Sequence, residues 1–169
     1  MKIGLFFFAL VLMLALITGC GKADKSPTPT LELKLTGAVT EVMSRETFES
    51  GVECHRVDCE IVDKTGNKHS YSGIPLWLLV GLVDDAIIHR EGAFNDELAS
   101  EGYNISVISG DVKSVNFNST AIARNYEIIV ANAEDGQPLT SLKLVGPELE
   151  KEQIIENVVE IHLDLQPIE

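Results

Sequence analysis

Residues 72–83 read Ser-Gly-Ile-Pro-Leu-Trp-Leu-Leu-Val-Gly-Leu-Val, and a strand pattern changes to a helix pattern within them. Pro75 suits the first turn of a helix, because its missing N–H group costs no hydrogen bond there. The residues that follow Pro75 are apolar on almost every side of such a helix. A helix of this kind is buried beneath other elements and does not lie on a wet surface. The stretch therefore predicts a short helix that the rest of the domain covers.

Strand patterns lie on both sides of this segment. Leucines alternate with polar residues from Leu31 to Thr36, which predicts a strand with one buried face. Segments 57–62 and 68–72 flank a Gly-containing turn and predict a β-hairpin. Further strands are predicted at 105–108, 112–117, 126–131, 142–145 and 158–165. Asn118 caps a predicted single helical turn, and 148–156 is predicted as a surface helix.

Strands dominate this pattern, and the helices do not alternate with them regularly. A regular alternation would have indicated a doubly wound α/β fold. The predicted fold class is therefore α+β, a mixed and mainly β domain with two or three short helices.

The N-terminal residues predict a targeting signal. Lys2 precedes an uncharged apolar run over 3–17, which is shorter than the ~20 residues of a bilayer span and typical of a secretory leader. Small residues then lead straight into Cys20, and this pattern resembles the lipobox of prokaryotic lipoproteins. The resemblance implies cleavage before Cys20 and a diacylglyceryl group on its thiol. The alternative is an uncleaved N-terminal anchor with an incidental Cys20.

We therefore divide the chain into a leader over 1–19, a lipidated polar tether over 20–30 and a single globular domain over 31–169. With either kind of anchor, we expect the domain to lie on the extracytoplasmic side of the cell membrane. The chain has 169 residues and a net charge of −13. Such a surface repels nucleic acid and anionic lipid head groups. The expected partners are the membrane, through the lipid, and another protein, and nucleic acid is excluded.

Six segments of the domain carry a family pattern. They are Tyr-Ser-Gly-Ile-Pro-Leu-Trp-Leu-Leu at 71–79, Ser-Gly-Asp-Val-Lys-Ser-Val-Asn-Phe at 109–117, Ile-Ala-Arg-Asn through Ile-Val-Ala-Asn at 122–132, Asp-Gly-Gln-Pro-Leu at 135–139, Leu-Lys-Leu-Val-Gly-Pro at 142–147 and the strand at 158–165. In this order they resemble the small molybdopterin-binding domain of sulfite-oxidase-type oxidoreductases. The resemblance implies the fold of that domain, but a fold does not carry an activity with it.

The cysteines decide what the resemblance implies about chemistry. In catalytic members of the family, a loop cysteine binds molybdenum, and basic and polar groups hold the pterin and its phosphate. Cys54 and Cys59 lie in the corresponding region, but Cys59 falls in the strand 57–62, which runs directly into a tight turn. The Arg- and Gly-rich inserts are missing, and Lys143 stands where relatives have arginine. We therefore expect no cofactor and no catalytic residue.

The alternative is a minimal molybdopterin-dependent oxidoreductase with Cys54 or Cys59 as the molybdenum ligand. Two other roles are considered for these cysteines, a metal site and a disulfide. The alternative to both is that they are ordinary strand residues. Together with His55 and His69 they offer thiolate and imidazole ligands that suit zinc, but the spacing is loose and we predict no metal site. A disulfide needs a turn near His55, because a continuous strand would hold the two cysteines about 16 Å apart.

The expected function is a lipid-anchored, extracytoplasmic binding or accessory module. Trp77 is expected to pack in the core with a hydrogen-bonded indole. If the module has a pocket, the resemblance places it at one end of the sheet, near two groups of residues. These are Gly73, Ile74 and Pro75, and the turn of Ser109, Gly110 and Asp111.

Overall fold

The computed structural model describes residues 32–87 and 93–165. The predicted leader, Cys20 and the tether lie outside these residues. The described elements are β1 (Glu32–Thr36), β2 (Thr40–Ser44), α1 (Arg45–His55), β3 (Val57–Val62), β4 (Lys68–Pro75), α2 (Leu76–Val80), α3 (Asp96–Glu101), β5 (Asn104–Ser109), β6 (Ser114–Asn118), α4 (Ser119–Ile122), β7 (Ile129–Glu134), β8 (Gln137–Val145), β9 (Ile155–Glu156) and β10 (Val158–Asp164). The predicted mixed, mainly β class is confirmed, with four α-helices in the described ranges.

The strands form two five-stranded sheets. The first has the order β2-β1-β10-β5-β6, and the second has the order β3-β4-β7-β8-β9. The pairing of β1 with β10 is parallel, and the other recorded pairs are antiparallel. The last strand of the chain therefore lies in the middle of the first sheet.

One apolar core joins the two sheets and the helices. Leu35 and Ile161 of the first sheet are fully buried in the same cluster as Leu144 of the second sheet. The helix α1 adds Phe48, and the predicted helix α2 adds Trp77. The prediction that α2 is buried is confirmed. No helix in the described ranges is long and apolar enough to cross a membrane.

Trp77 packs in this core, as predicted. The hydrogen bond that was expected for its indole is not formed within the described part of the chain. Its ring meets Phe94 and Tyr126 edge to face, with centroid distances of 5.7 and 5.4 Å. The Arg124 guanidinium lies 4.6 Å from the ring centroid. Nε1 is buried without a hydrogen-bond partner among the described residues.

A second, smaller apolar cluster lies on the other face of the second sheet. Its buried members are Tyr71, Ile129, Ala131 and Val145. The half-buried side chains that pack against them are Val57, Cys59, Ile61, Leu139 and Ile154. We call this surface the outer face of the second sheet. It brings Cys59 together with Tyr71.

Two predicted elements differ from the structure near the C-terminus. The segment 148–156 is not a surface helix, because Ile154 and Ile155 pack on opposite faces of the second sheet. Adjacent residues point in opposite directions only in extended chain, so the segment forms a single 3₁₀ turn over Lys151–Gln153 and then β9. The strand predicted at 126–131 begins at Ile129 instead, since the Asn125 side chain accepts a hydrogen bond from the Glu127 N–H at 2.8 Å and holds a turn there.

Three elements were not predicted: β2, α1 and α3. The helix α1 buries only Phe48 and Val52, and most of its other residues are polar. Cys54 lies in this helix, and the interpretation of it as a strand residue is wrong. The Ser44 hydroxyl caps the helix by accepting a hydrogen bond from the Thr47 N–H at 3.2 Å.

Candidate functional site on the outer face of the second sheet

Cys59 lies in a regular ladder and not in a loop. It pairs with Tyr71 in the hairpin of β3 and β4, and β3 is an edge strand. The hairpin closes tightly four residues later, where the Asp63 N–H donates to the Asn67 carbonyl at 2.8 Å. The thiol is half-buried on the outer face of the second sheet. The predicted hairpin is confirmed. Cys59 therefore lies within a strand, and no loop holds its sulfur away from the sheet.

The surroundings of Cys59 keep its thiol protonated. Burial raises the pKa of the Cys59 thiol to about 11, and the negative charges of Asp58 and Glu127 act in the same direction. A metal ligand must be a thiolate, and thiolates are stabilised by cations or a helix N-terminus. The surroundings of Cys59 therefore favour the neutral thiol over the thiolate that a molybdenum ligand would have to be.

Cys54 has a different position. It is exposed on the last turn of α1, and both Cys54 and Cys59 are free thiols. The chain does turn between them, as a disulfide would require, but it does so by passing from a helix into a strand.

The residues of the predicted pocket fall in different sheets. Gly73, Ile74 and Pro75 belong to β4 and are buried. A Cβ atom at Gly73 would lie 2.1 Å from the Val130 carbonyl oxygen, so the backbone of β7 occupies the space beside it. A pocket that includes Gly73 stays a prediction.

The other half of the predicted pocket is the turn between β5 and β6. Ser109 is buried there, and Gly110 and Asp111 are exposed. The Ser109 hydroxyl donates to the Asp111 carboxylate, and this hydrogen bond lowers the pKa of Asp111.

Polar side chains cross the outer face of the second sheet beside Cys59. The Lys143 ammonium group donates to the Tyr71 hydroxyl at 3.1 Å and lies 4.9 Å from the Tyr71 ring centroid. Tyr71 in turn donates to the Glu134 carboxylate at 2.8 Å. Between the two strands, Ala131 of β7 pairs with Gly73 of β4 and with Lys143 of β8. Lys143 is thus engaged by protein groups.

The same row of residues continues to His69. Its Nδ1 lies 3.1 Å from Asp135 Oδ2 and 3.3 Å from Glu134 Oε1, and we call His69, Glu134 and Asp135 the His69 cluster. The hydrogen bond to Asp135, together with the negative charges of Asp135 and Glu134, raises the pKa of His69. The predicted metal interpretation placed His69 with the cysteines. The structure places it with carboxylates instead.

Sequence reasoning missed this arrangement. The sequence analysis considered His69 only as a partner of Cys54, His55 and Cys59. The signal that pointed to it was indirect: a histidine two residues after the predicted hairpin turn, and an acidic pair directly before Gly136. Only the pairing of β4 with β7 brings the two turns together.

Comparisons with known proteins bear on the fold. No protein-family model matches the chain, and no curated protein matches it. Among solved structures, it is similar to the sulfane dehydrogenase SoxCD from Paracoccus pantotrophus, with a TM-score of 0.59 and 13% sequence identity. The match covers 82% of this chain and 39% of that chain, so the present chain spans about two fifths of that protein's length. The similarity shows the fold alone, and it supports the sulfite-oxidase-type fold that the sequence pattern implied.

Proposed function

We propose that this chain is a lipid-anchored, extracytoplasmic binding or accessory module that has a sulfite-oxidase-type fold and works without a molybdenum cofactor. The observation that carries the proposal is the position of Cys59. Its sulfur lies in the middle of a hydrogen-bonded hairpin, in an apolar and anionic environment that favours the thiol. Cys54, the other candidate ligand, is exposed at the end of α1.

Three of the described hairpin connections support the same proposal. Asp63–Asn67, the segment 110–113 and the pair 135–136 join their strands by tight turns. A large cofactor needs loops that wrap around it and cations that neutralise its phosphate. The cation nearest the Tyr71 ring, Lys143, already lies 3.6 Å from Glu156 and 4.0 Å from Glu134.

Metal analysis tests the proposal directly. We expect protein purified from the membranes of its native host to contain no stoichiometric molybdenum. About one molybdenum atom per chain would overturn the proposal and favour the oxidoreductase alternative. Loss of the metal and of a redox activity in Cys59→Ser would then identify Cys59 as the ligand. The same losses in Cys54→Ser would identify Cys54 instead.

The lipid anchor is tested separately. Several acyl chains on Cys20 would hold the domain at the membrane lastingly, because one chain binds only marginally. We expect the intact mass of the wild-type protein to show cleavage before Cys20 and an added lipid, and Cys20→Ala to lack the lipid. Cys54→Ser is the matched control and should carry the same lipid as the wild type. A wild-type chain that retains residues 1–19 with an unmodified Cys20 would contradict the anchor.

A further inference from the structure

We propose that the His69 cluster is a binding site for a divalent transition-metal ion of the zinc class. This proposal does not depend on the proposed accessory role. It rests only on described residues of the second sheet. It combines one imidazole nitrogen with two carboxylate oxygens, and these three ligand atoms lie within 4.8 Å of one another.

Two separate turns deliver the ligands. His69 is the second residue of β4, after the β3–β4 turn, and Glu134 and Asp135 lie where β7 ends and turns into β8. The register Tyr71↔Glu134 sets these turns side by side. The hydrogen-bonded strands therefore hold the three ligands close together, and binding of an ion would order few additional groups.

The spacing of the ligand atoms suits one ion. Zinc bonds to nitrogen and carboxylate oxygen are about 2.0–2.2 Å long, so neighbouring ligands in a tetrahedral site are roughly 3.3–3.6 Å apart. The His69 nitrogen lies 3.1 Å from the Asp135 oxygen and 3.3 Å from the Glu134 oxygen. Both distances lie within a few tenths of an ångström of this spacing, and the three ligand atoms of the cluster all lie within 4.8 Å of one another.

Neighbouring groups orient the ligands from outside the cluster. The Ser70 N–H donates to Asp135 Oδ1 at 2.8 Å, which leaves Oδ2 facing His69. The Tyr71 hydroxyl donates to Glu134 Oε1 at 2.8 Å. On the far side of the imidazole, the Asp63 carboxylate lies 3.7 Å from Nε2. When a metal ion displaces the proton on Nδ1, this carboxylate would face the N–H group of Nε2, as the outer partners of metal-bound histidines do.

The local charge also favours a cation. The carboxylates of Asp63, Glu134 and Asp135 lie within 3.7 Å of the imidazole. Lys143 lies 4.0 Å from Glu134, but it also faces Glu156. The carboxylates near the imidazole thus outnumber the positive charges, and a divalent cation would reduce the net negative charge there. An imidazole ligand selects zinc, nickel or copper over magnesium and calcium, which prefer oxygen ligands throughout.

Titration of Zn²⁺ into the purified full-length chain, followed by calorimetry, tests the site. We expect one saturable equivalent for the wild type, no response to Mg²⁺, and binding that is at least roughly 10-fold weaker in His69→Gln. The matched control is His162→Gln, because His162 is an exposed histidine on β10 of the other sheet and its loss should leave the affinity unchanged. Tyr71→Phe, which frees the Glu134 carboxylate, should weaken binding by roughly 10-fold.

The variants are informative only if they fold, and the circular dichroism of the metal-free proteins checks this. His69 keeps about a third of its side-chain surface exposed, so glutamine should be accommodated. Asp135→Asn is a second variant on the opposite turn and should also lose affinity. The proposal is wrong if wild type and His69→Gln bind Zn²⁺ equally, or if the wild type binds none at millimolar concentration. Neither result would bear on the lipid anchor or on the molybdenum analysis.

Discussion

Cys54 and Cys59 are five positions apart, and their surroundings give the two thiols different properties. Cys54 is exposed at the end of α1, where solvent reaches it. Cys59 is half-buried among Val57, Ile61 and Tyr71, where burial raises its pKa to about 11. The residue type suggested a metal ligand, but the environment favours a neutral side chain that packs.

His69 shows the opposite effect of environment, because nearby carboxylates favour its charged form. The pKa of His69 is raised, with the hydrogen bond to Asp135 as the largest cause. A histidine with a raised pKa stabilises the folded state below its unfolded pKa of about 6.5, and this contribution is lost as the pH rises through the folded pKa.

We therefore predict that His69→Gln lowers the free energy of unfolding more at pH 6 than at pH 9. Urea denaturation of both proteins in a metal-chelating buffer measures this. Asp135→Asn should lower the pKa of His69 in an NMR titration, whereas Glu97→Gln on α3 should not move it, because Glu97 is not among the groups that shift this pKa. An equal effect of His69→Gln at both pH values would contradict the prediction.

The hairpin of β3 and β4 formed where local signals predicted it, whereas α1 formed without a strong local signal. Its two buried side chains, Phe48 and Val52, are four residues apart and face the core. The rest of the helix is polar and contains Gly51, which lowers its intrinsic stability. Such a helix depends on packing and on its cap.

We predict that Ser44→Ala destabilises the protein by about 1 kcal/mol, because it removes the hydroxyl that accepts from the Thr47 N–H. Chemical denaturation monitored by circular dichroism measures the loss. Ser50→Ala is the matched control: it makes the same substitution at an exposed position within α1 and should change the stability by less than about 0.5 kcal/mol. Equal losses in the two variants would show that the cap contributes nothing.

The chain closes on itself through β10, which lies between β1 and β5. Its residue Ile161 pairs with Leu35 on one side and Val107 on the other, and all three are fully buried. The same apolar core contains Trp77 of α2. Loss of packing in β10 should therefore be felt throughout the molecule.

We predict that Ile161→Ala lowers the free energy of unfolding by about 2–5 kcal/mol, through lost burial and the cavity left behind. Trp77 fluorescence and far-ultraviolet circular dichroism should give the same shifted midpoint, since both report on one cooperative core. His162→Ala, at the exposed neighbouring position, should stay within about 0.5 kcal/mol of the wild type. Separate midpoints for the two probes would show that the sheets unfold independently.

Local patterns were sufficient for the hairpin of β3 and β4, the buried helix α2 and the last strand, because alternation, turn residues and Pro75 act over a few neighbours. They were insufficient for the segment 148–156, where charged residues suggested a helix and the burial of Ile155 in the sheet produced a strand. Burial of that kind is decided by partners distant in sequence, here Leu144 of β8.

The sequence alone determined the mixed, mainly β class of the fold, the acidic charge and the position of Cys59 in a strand beside a tight turn. Only the tertiary structure decided which side chains meet: it placed His69 against Glu134 and Asp135, more than sixty positions away, and Lys143 against Tyr71. The physical reason is that side-chain chemistry acts over a few ångströms, and strand register, which no local stretch of sequence specifies, sets those distances.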